Sequence, residues 1–482
     1  MSQNLEKICS SMEDRVNGLL KQWNLPGVSA ALVENGKTVL CDGYGSRDLK
    51  ENLEMTKATR IPIGSATKSF TALALGMLAD EGKLDWDEPV CSYIPWLRLA
   101  DPVAEKRVTA RDLMCHRSGI AKYDAHAVFC TKDDRKEMVE DLKYLQFGSD
   151  FRTTLQYSNQ MVMLAGYLAE VLSGKSWEDF VQERILDELG MKDTSFFVEK
   201  IEESDEFSRG YLFTGTDHMQ TEYLPLRGVG PAGSIVSTAE DMAKYLQFQL
   251  GDGTWNGKRL LSSENLQMMH TPQVIGTPYF WKFDEVTETN YGLGWFTDLY
   301  RGTRMVSHGG NTLGFSSLVT LLPEKNFGIA LLSNGNSNFM IYPLTYMILD
   351  EVLEAGNGNW NERFQTTLGA VFAGMAEGQK QLAEAKIPDT SVSHPIQEYA
   401  GEYVHPGFGT LALQEQDGQL SGTLNGFTAL MTHYHYDVFT LMLPLMGLSL
   451  QAQFLSGFDG KVTGIDVQME PMPGIGPVRF IK

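Results

Sequence analysis

The sequence predicts an α+β fold: an antiparallel sheet flanked by helices and carrying a large helical insertion, followed by a C-terminal antiparallel β-barrel. Three observations predict it. Strand-like apolar runs occur near the N-terminus and again after residue 290, helical spacing dominates between about 85 and 250, and from residue 393 onward short strands alternate with turns. Strands on both sides of a helical insert imply one sheet assembled from distant segments.

In chain order, the apolar run 28–33, the turn Glu34-Asn35-Gly36-Lys37 and the run 38–40 predict a hairpin, placing strands ahead of the first long helix. Phe70, Leu73, Ala74, Met77 and Leu78 recur at helical spacing over 66–81, Gly82 stops that helix, and Ser65 falls at or beside its first turn. Within the insert, 160–172 reads as a helix, and Ser237-Thr238-Ala239-Glu240 reads as a capping box opening another. Strand patterns return at 291–296, 305–308, 316–322 and 327–332, with a helix over 342–353. Residues 356–392 have the composition of a connecting helix and linker. Strands at 411–415, 420–424, 450–455, 462–468 and 478–481 then suit a small barrel. The expected division is a first domain over 1–355, a connector over 356–392 and a barrel over 393–482.

Composition narrows the function classes. A chain of 482 residues, 43% hydrophobic and 21% charged, has ample material for a buried core. Forty Lys and Arg against 61 Asp and Glu give a net charge of -21, which repels phosphate backbones and anionic headgroups, so neither nucleic acid nor membrane is expected as a partner. Cys9, Cys41, Cys91, Cys115 and Cys130 are odd in number and form no Cys-x-x-Cys pair, so no disulfide framework, metal site or other cofactor is expected. Residues 1–14 are too charged for a signal peptide, and the apolar stretch 161–172 is interrupted by Glu170, which predicts a cytoplasmic chain.

Chemistry concentrates in three motifs. Ser65-Ala66-Thr67-Lys68 sets a hydroxyl and an amine three residues apart, on one side of a helix start. A serine needs a base, and a lysine serves as one only where burial or nearby positive charge lowers its pKa, so Lys68 should lie in a semi-enclosed site. The helix N-terminus adds partial positive charge and free N–H groups, one of them from Ser65, where an oxyanion would form. Tyr157-Ser158-Asn159 joins a phenol to an amide immediately before the 160–172 helix. His308-Gly309-Gly310-Asn311 is expected to end a strand, its glycines admitting a substrate against the backbone.

Together and in this order, the motifs resemble the serine β-lactamase and penicillin-binding-protein superfamily, whose signature is Ser-x-x-Lys, then Ser-x-Asn or Tyr-x-Asn, then Lys-Thr-Gly. Val108-Thr109-Ala110-Arg111-Asp112-Leu113-Met114-Cys115-His116-Arg117-Ser118-Gly119-Ile120 and Ala232-Gly233-Ser234-Ile235-Val236-Ser237-Thr238 are similar to segments of its class-C-like esterase and D-aminopeptidase branch. The resemblance spans roughly residues 10–355. It implies Ser65 as nucleophile, Lys68 as its base, Tyr157 as proton shuttle, Asn159 as a ligand for the substrate amide, and the N–H groups of Ser65 and Asn311 as an oxyanion hole. His308, Gly309, Gly310 and Asn311 would form the substrate-binding strand. His308 stands where β-lactamases carry lysine, and a mostly neutral imidazole grips a carboxylate less well, which argues against efficient β-lactam hydrolysis or carboxypeptidase activity. The His-x-Gly variants include esterases and D-aminopeptidases. The implied activity is hydrolysis of amides or esters of small molecules or short peptides, chiefly those containing D-amino acids. A carboxylesterase of the same fold and a sensor that is acylated without turnover are the alternatives. From Tyr399-Ala400-Gly401-Glu402-Tyr403 to Lys482 the chain resembles the lipocalin-like barrel appended to some of these peptidases, which would shape access or build a homo-oligomer.

Two further patterns are set aside. Gly228-Val229-Gly230-Pro231-Ala232-Gly233 fits a dinucleotide glycine motif but lacks the flanking strand and helix. His433-Tyr434-His435 puts two imidazoles on one strand without a third ligand, which favours barrel packing. No Gly-x-Ser-x-Gly elbow, His-Glu-x-x-His or Walker A sequence occurs.

Overall fold

The computed structural model describes residues 3–130, 132–196, 198–276, 281–336 and 339–482. Among these, ten strands form one antiparallel sheet. Its central order runs Phe296–Tyr300, Thr303–Thr312, Phe315–Leu322, Phe327–Ser333, Gly27–Glu34 and Lys37–Asp48. The N-terminal hairpin joins the later strands through the register Val28↔Ser333 to Glu34↔Phe327, so the sheet is built from distant segments as expected. Residues 315–322 and 327–333 are buried throughout, because both faces of the sheet are covered.

One face packs against Lys68–Asp80 and the helical insert, the other against Gln3–Trp23, Ile341–Val352 and Trp360–Glu384. The first of those outer helices corrects the reading that strands come first. Leu5, Ile8, Met12, Val16 and Leu19 repeat at helical spacing and are buried. Five such side chains contribute roughly 10 kcal/mol of gross burial, enough to fix this helix on the sheet.

Three boundaries also differ from expectation. The 291–296 run is two strands, Asn290–Tyr291 and Phe296–Tyr300, because Gly294 turns the chain at φ 75°, where a Cβ would lie 2.8 Å from the Lys68 carbonyl oxygen. The Ala239–Gln249 helix is capped by Thr238, whose side chain accepts from Asp241 N–H; the capping box of the insert is instead Thr109 with Asp112. The strand expected over 305–308 runs from Thr303 to Thr312, so that His308 to Asn311 form its last part and stay in register to Thr312↔Phe315, one residue further than the motif.

Helix Trp360–Glu384 leads to a closed eight-stranded antiparallel barrel running from Gly401–His405 to Val478–Ile481, with Val404↔Ile481 as the closing pair. Its interior is filled by side chains such as Tyr403, Leu411, Phe439, Phe454, Ile465 and Phe480. The barrel grips the segment 121–147: the Glu470 carboxylate accepts from Tyr123 N–H at 2.6 Å, His126 Nε2 donates to Gly407 O at 3.0 Å, and Asn425 Nδ2 donates to Phe129 O at 2.9 Å. That segment carries Lys122 and Asp124 to the site described next.

Candidate active site

Ser65 lies in the single 3-10 turn Gly64–Thr67, which runs directly into helix Lys68–Asp80. Two close approaches set its position. Gly64 has φ 52°, and a Cβ there would lie 2.8 Å from Asn311 N; a Cβ at Gly310 would lie 1.8 Å from Ile63 O. Ser317 Oγ also donates to Ile63 O at 2.7 Å. The His308–Asn311 strand is therefore pressed onto the Ser65 turn, and at Gly310 the space a side chain would need is taken by this chain's own backbone.

Lys68 is fully buried, and its Nζ meets three acceptors: Ser65 Oγ at 3.0 Å, Asn159 Oδ1 at 2.8 Å and Ala232 O at 2.7 Å. Burial lowers its pKa to about 7, with Asp124 opposing the shift and Lys122 adding to it. The acceptors are not equivalent. The two carbonyl oxygens can only accept, so a neutral amine spends its two N–H bonds on them and turns its lone pair toward the Ser65 hydroxyl. The charged form donates to all three.

Tyr157 and Asn159 flank Ser158, whose hydroxyl accepts from Met161 N–H at the start of helix Asn159–Ser173. Lys68 Nζ sits 4.9 Å from the Tyr157 ring centroid. Asn159 has its orientation fixed from both ends, Oδ1 accepting from Lys68 and Nδ2 donating to Asp124 Oδ1 at 3.3 Å. Asp124 in turn pairs with Lys122 at 2.7 Å.

His308 is buried and carries no free ring nitrogen: Nε2 meets the Tyr291 hydroxyl at 2.8 Å and Nδ1 meets Gly309 O at 2.7 Å. Burial, with the nearby Lys68 charge, lowers its pKa to about 3. It is an uncharged ring at neutral pH. Strand Phe296–Tyr300 pairs with Thr303–Thr312 only as far as Phe296↔Ser307, so among the described residues 308–312 have a strand partner on one edge alone. That other edge opens on a cavity of about 660 Å³ whose lining includes Ser65, Tyr157, Asn159, His308, Gly309 and Asn311. The cavity continues past Phe296 and Tyr342 to Phe372 and Met375 of the connecting helix.

The structure thus gathers Ser65, Lys68, Tyr157, Asn159 and His308 to Asn311 at one place. It adds groups that motif spacing alone does not find: Lys122, Asp124, His116, Tyr291 and the Ala232 carbonyl. His116 and Ala232 lie inside the two longer segments singled out in the sequence, whereas Asp124 and Tyr291 carry no local signal. The glycine-rich 228–233 segment folds as the buried turn Gly230–Gly233, whose Pro231 and Ala232 carbonyls accept from Thr71 Oγ1 and Lys68 Nζ. His433 and His435 both meet backbone groups, Tyr436 O at 2.9 Å and Ile387 N–H at 3.4 Å, and no cluster of three or more metal-ligating side chains occurs among the described residues. Among those residues no helix is long and apolar enough to cross a membrane.

Comparison with known proteins gives this arrangement its context. The family model described as Beta-lactamase matches residues 12–351, and residues 385–481 match a domain of unknown function, DUF3471. The chain is 28% identical to unguisins hydrolase ungD' of Aspergillus campestris, covering 95% of this chain and 89% of that one. It is 26% identical to protein flp of Staphylococcus aureus over 67% of this chain and 62% of that protein. The octameric penicillin-binding protein homologue from Pyrococcus abyssi superposes with a TM-score of 0.63 at 23% identity, covering 98% of this chain and 99% of that chain. FmtA from Staphylococcus aureus gives a TM-score of 0.56 at 23% identity, covering 70% and 88%. These two structures share the fold, and the family match covers most of the sheet-and-helix unit. With a matching family model over residues 12–351, this chain belongs to the Beta-lactamase family.

Proposed function

We propose that the chain is a serine hydrolase that cleaves amide or ester bonds of small substrates through an acyl-enzyme on Ser65, with peptides containing D-amino acids as its principal substrates. The observation that carries this reading is the Lys68 geometry: its buried Nζ lies 3.0 Å from Ser65 Oγ with the Asn159 and Ala232 carbonyl oxygens at 2.8 and 2.7 Å, so that a neutral amine can give its two N–H bonds to the carbonyls and turn its lone pair to the hydroxyl. Lys68 takes the Ser65 proton as Oγ attacks the substrate carbonyl. The resulting ammonium then has three acceptors in place, so proton transfer costs little rearrangement. Negative charge on the carbonyl oxygen is met by the N–H groups of Ser65 and Asn311. Tyr157 gives its phenol proton to the leaving nitrogen or oxygen as the carbonyl–leaving-group bond breaks and is reprotonated from the Lys68 ammonium; water then attacks the ester on Ser65, the Lys68–Tyr157 pair taking the water proton and returning one to Ser65 Oγ as the acid leaves. Asn159 steadies Lys68 and offers its amide to the substrate.

The uncharged His308 supports substrates without a carboxylate at that position, and the open strand edge suits an extended amide backbone. The preference for D-residues rests on the resemblance to D-aminopeptidases. Residues 1–355 would act as the catalytic domain, 356–392 as the connector and 393–482 as the appended barrel, and the octameric fold relative supports a homo-oligomer.

The test is to assay wild type and Ser65→Ala on matched D- and L-aminoacyl anilides, their N-blocked forms and simple aryl esters. Ser65-dependent release from free-amine D-anilides is the expected result. Turnover of aryl esters alone would replace the peptidase reading with an esterase, and the absence of any Ser65-dependent product would overturn the hydrolase reading.

A further inference from the structure

Behind the site runs a buried chain of three side chains, of which the mechanism above uses only the missing charge of His308. His116, Tyr291 and His308 are each 1% exposed or less, and the Tyr291 hydroxyl lies 3.2 Å from His116 Nε2 and 2.8 Å from His308 Nε2. Backbone groups terminate the chain at both ends. Ser158 N–H donates to His116 Nδ1 at 3.2 Å, and His308 Nδ1 meets Gly309 O at 2.7 Å.

Those ends fix every proton between them. An N–H can only donate, so His116 Nδ1 is a lone pair and the ring proton of the neutral form is on Nε2, aimed at the Tyr291 oxygen. A carbonyl can only accept, so His308 carries its proton on Nδ1 and presents a lone pair at Nε2 to the Tyr291 hydroxyl. The hydroxyl accepts once and donates once. Adding a proton to His116 would set two N–H groups against each other at Ser158, and adding one to His308 would turn Nε2 from acceptor into donor and take from the Tyr291 O–H its acceptor. Burial and the Lys68 charge push both rings the same way, His116 well below its ordinary range and His308 to about 3. Lys68 and the two imidazoles are the titratable groups coupled here, with the Tyr157 ring lying against His116 at 4.2 Å between centroids and tilted by 33°.

We propose that Tyr291 is a positioning residue: its hydroxyl, clamped between His116 and His308, is the strut that holds the Tyr157–Ser158–Asn159 segment at a fixed distance from the His308–Asn311 strand. Both segments line the cleft at Ser65, with the Tyr157 and His308 rings 6.3 Å apart between centroids. One segment is tied to the strut through Ser158 N–H and the Tyr157 ring, the other through His308 and Gly309. The function of His308 is then to pass this tether on as a neutral ring of fixed tautomer. The inference builds on the assignment of Ser65 as the reacting centre, yet the hydrogen-bond chain can be observed without turnover.

The experiment uses nitrogen-15 NMR of the ring nitrogens in wild type and in Ser65→Ala, with His116→Gln and His308→Asn to assign two of the nine histidines. The expected result is an Nε2-protonated neutral His116 and an Nδ1-protonated neutral His308, both unchanged from pH 8 to pH 5, in both proteins. Opposite tautomers, or titration of either ring in that range, would overturn the proposal. Tyr291→Phe should lower kcat about tenfold or more, move KM of a small ester less than about threefold, and bring at least one ring into titration above pH 5. His116→Gln supplies an amide N–H and an amide oxygen at similar positions and should retain more kcat than His116→Leu. A Tyr291→Phe protein with unchanged kcat and unchanged ring signals would contradict the strut; should that variant not fold, the wild-type tautomers and the two His116 variants decide.

Discussion

Replacing Lys68 by Met separates the cost of this lysine from its use. Lys68 titrates at about 7 in the folded chain instead of its ordinary 10.5 because burial penalises its charge. At pH 7 the unfolded chain holds that proton while the folded site holds it only half the time, a difference of roughly 4 kcal/mol against folding. The sign follows directly: between pH 7 and pH 10.5 the unfolded state binds more protons at this position, so wild-type stability rises with pH, and below pH 7 the contribution is flat. Lys68→Met removes that burden but leaves Asn159 Oδ1 and Ala232 O without their donor, at roughly 1–3 kcal/mol each. The two effects nearly cancel, so the variant should be within about 2 kcal/mol of wild type at pH 7 while losing kcat/KM by about a thousandfold or more. Urea unfolding of both proteins, followed by tryptophan fluorescence at pH 7, 8, 9 and 10, measures the difference. It should swing toward the wild type by roughly 4 kcal/mol across the full pH 7 to 10.5 interval, since other titrating groups are common to both proteins. A pH-independent difference would refute the neutral-lysine reasoning.

Other consequences are open to simpler measurements. The pH profile of kcat/KM should rise through about 7 as Lys68 loses its proton, and Asn159→Asp, which sets a carboxylate beside Nζ, should move that limb upward by about one pH unit or more. Gly64→Ala should lower the midpoint of thermal unfolding and cut kcat/KM by about tenfold or more, because its Cβ meets Asn311 N at 2.8 Å on a left-handed backbone. Glu470→Ala strands the buried Tyr123 N–H and should destabilise the chain by roughly 1–3 kcal/mol, readable by calorimetry.

Much of the sheet and the three motifs could be read from the chain because each is local. Uniformly apolar strands, helical spacing after Ser65 and glycines next to His308 all carry their signal within a few residues. The first helix was equally legible in Leu5, Ile8, Met12 and Val16, yet the charged residues between them mask an amphipathic face when only a continuous apolar run is sought. What the sequence does not show is contact made across the fold. Asp124 reaches Asn159 only because the barrel holds the 121–147 segment through Glu470 and Asn425, and Tyr291 meets His116 only because Gly294 reverses the chain beneath Lys68. Gly310 illustrates the same limit in reverse: its glycine suggested room for a substrate, and the structure fills that space with the Ile63 carbonyl.

The most direct measurement is intact-mass and peptide mapping after exposure to a fluorophosphonate, a probe that acylation-competent serines attack. A single adduct on the peptide carrying Ser65 is expected, absent in Ser65→Ala and formed at least about a hundredfold more slowly in Lys68→Met. An adduct on a different serine, or a Lys68→Met protein labelled as fast as wild type, would contradict the assignment of Ser65 and its lysine base.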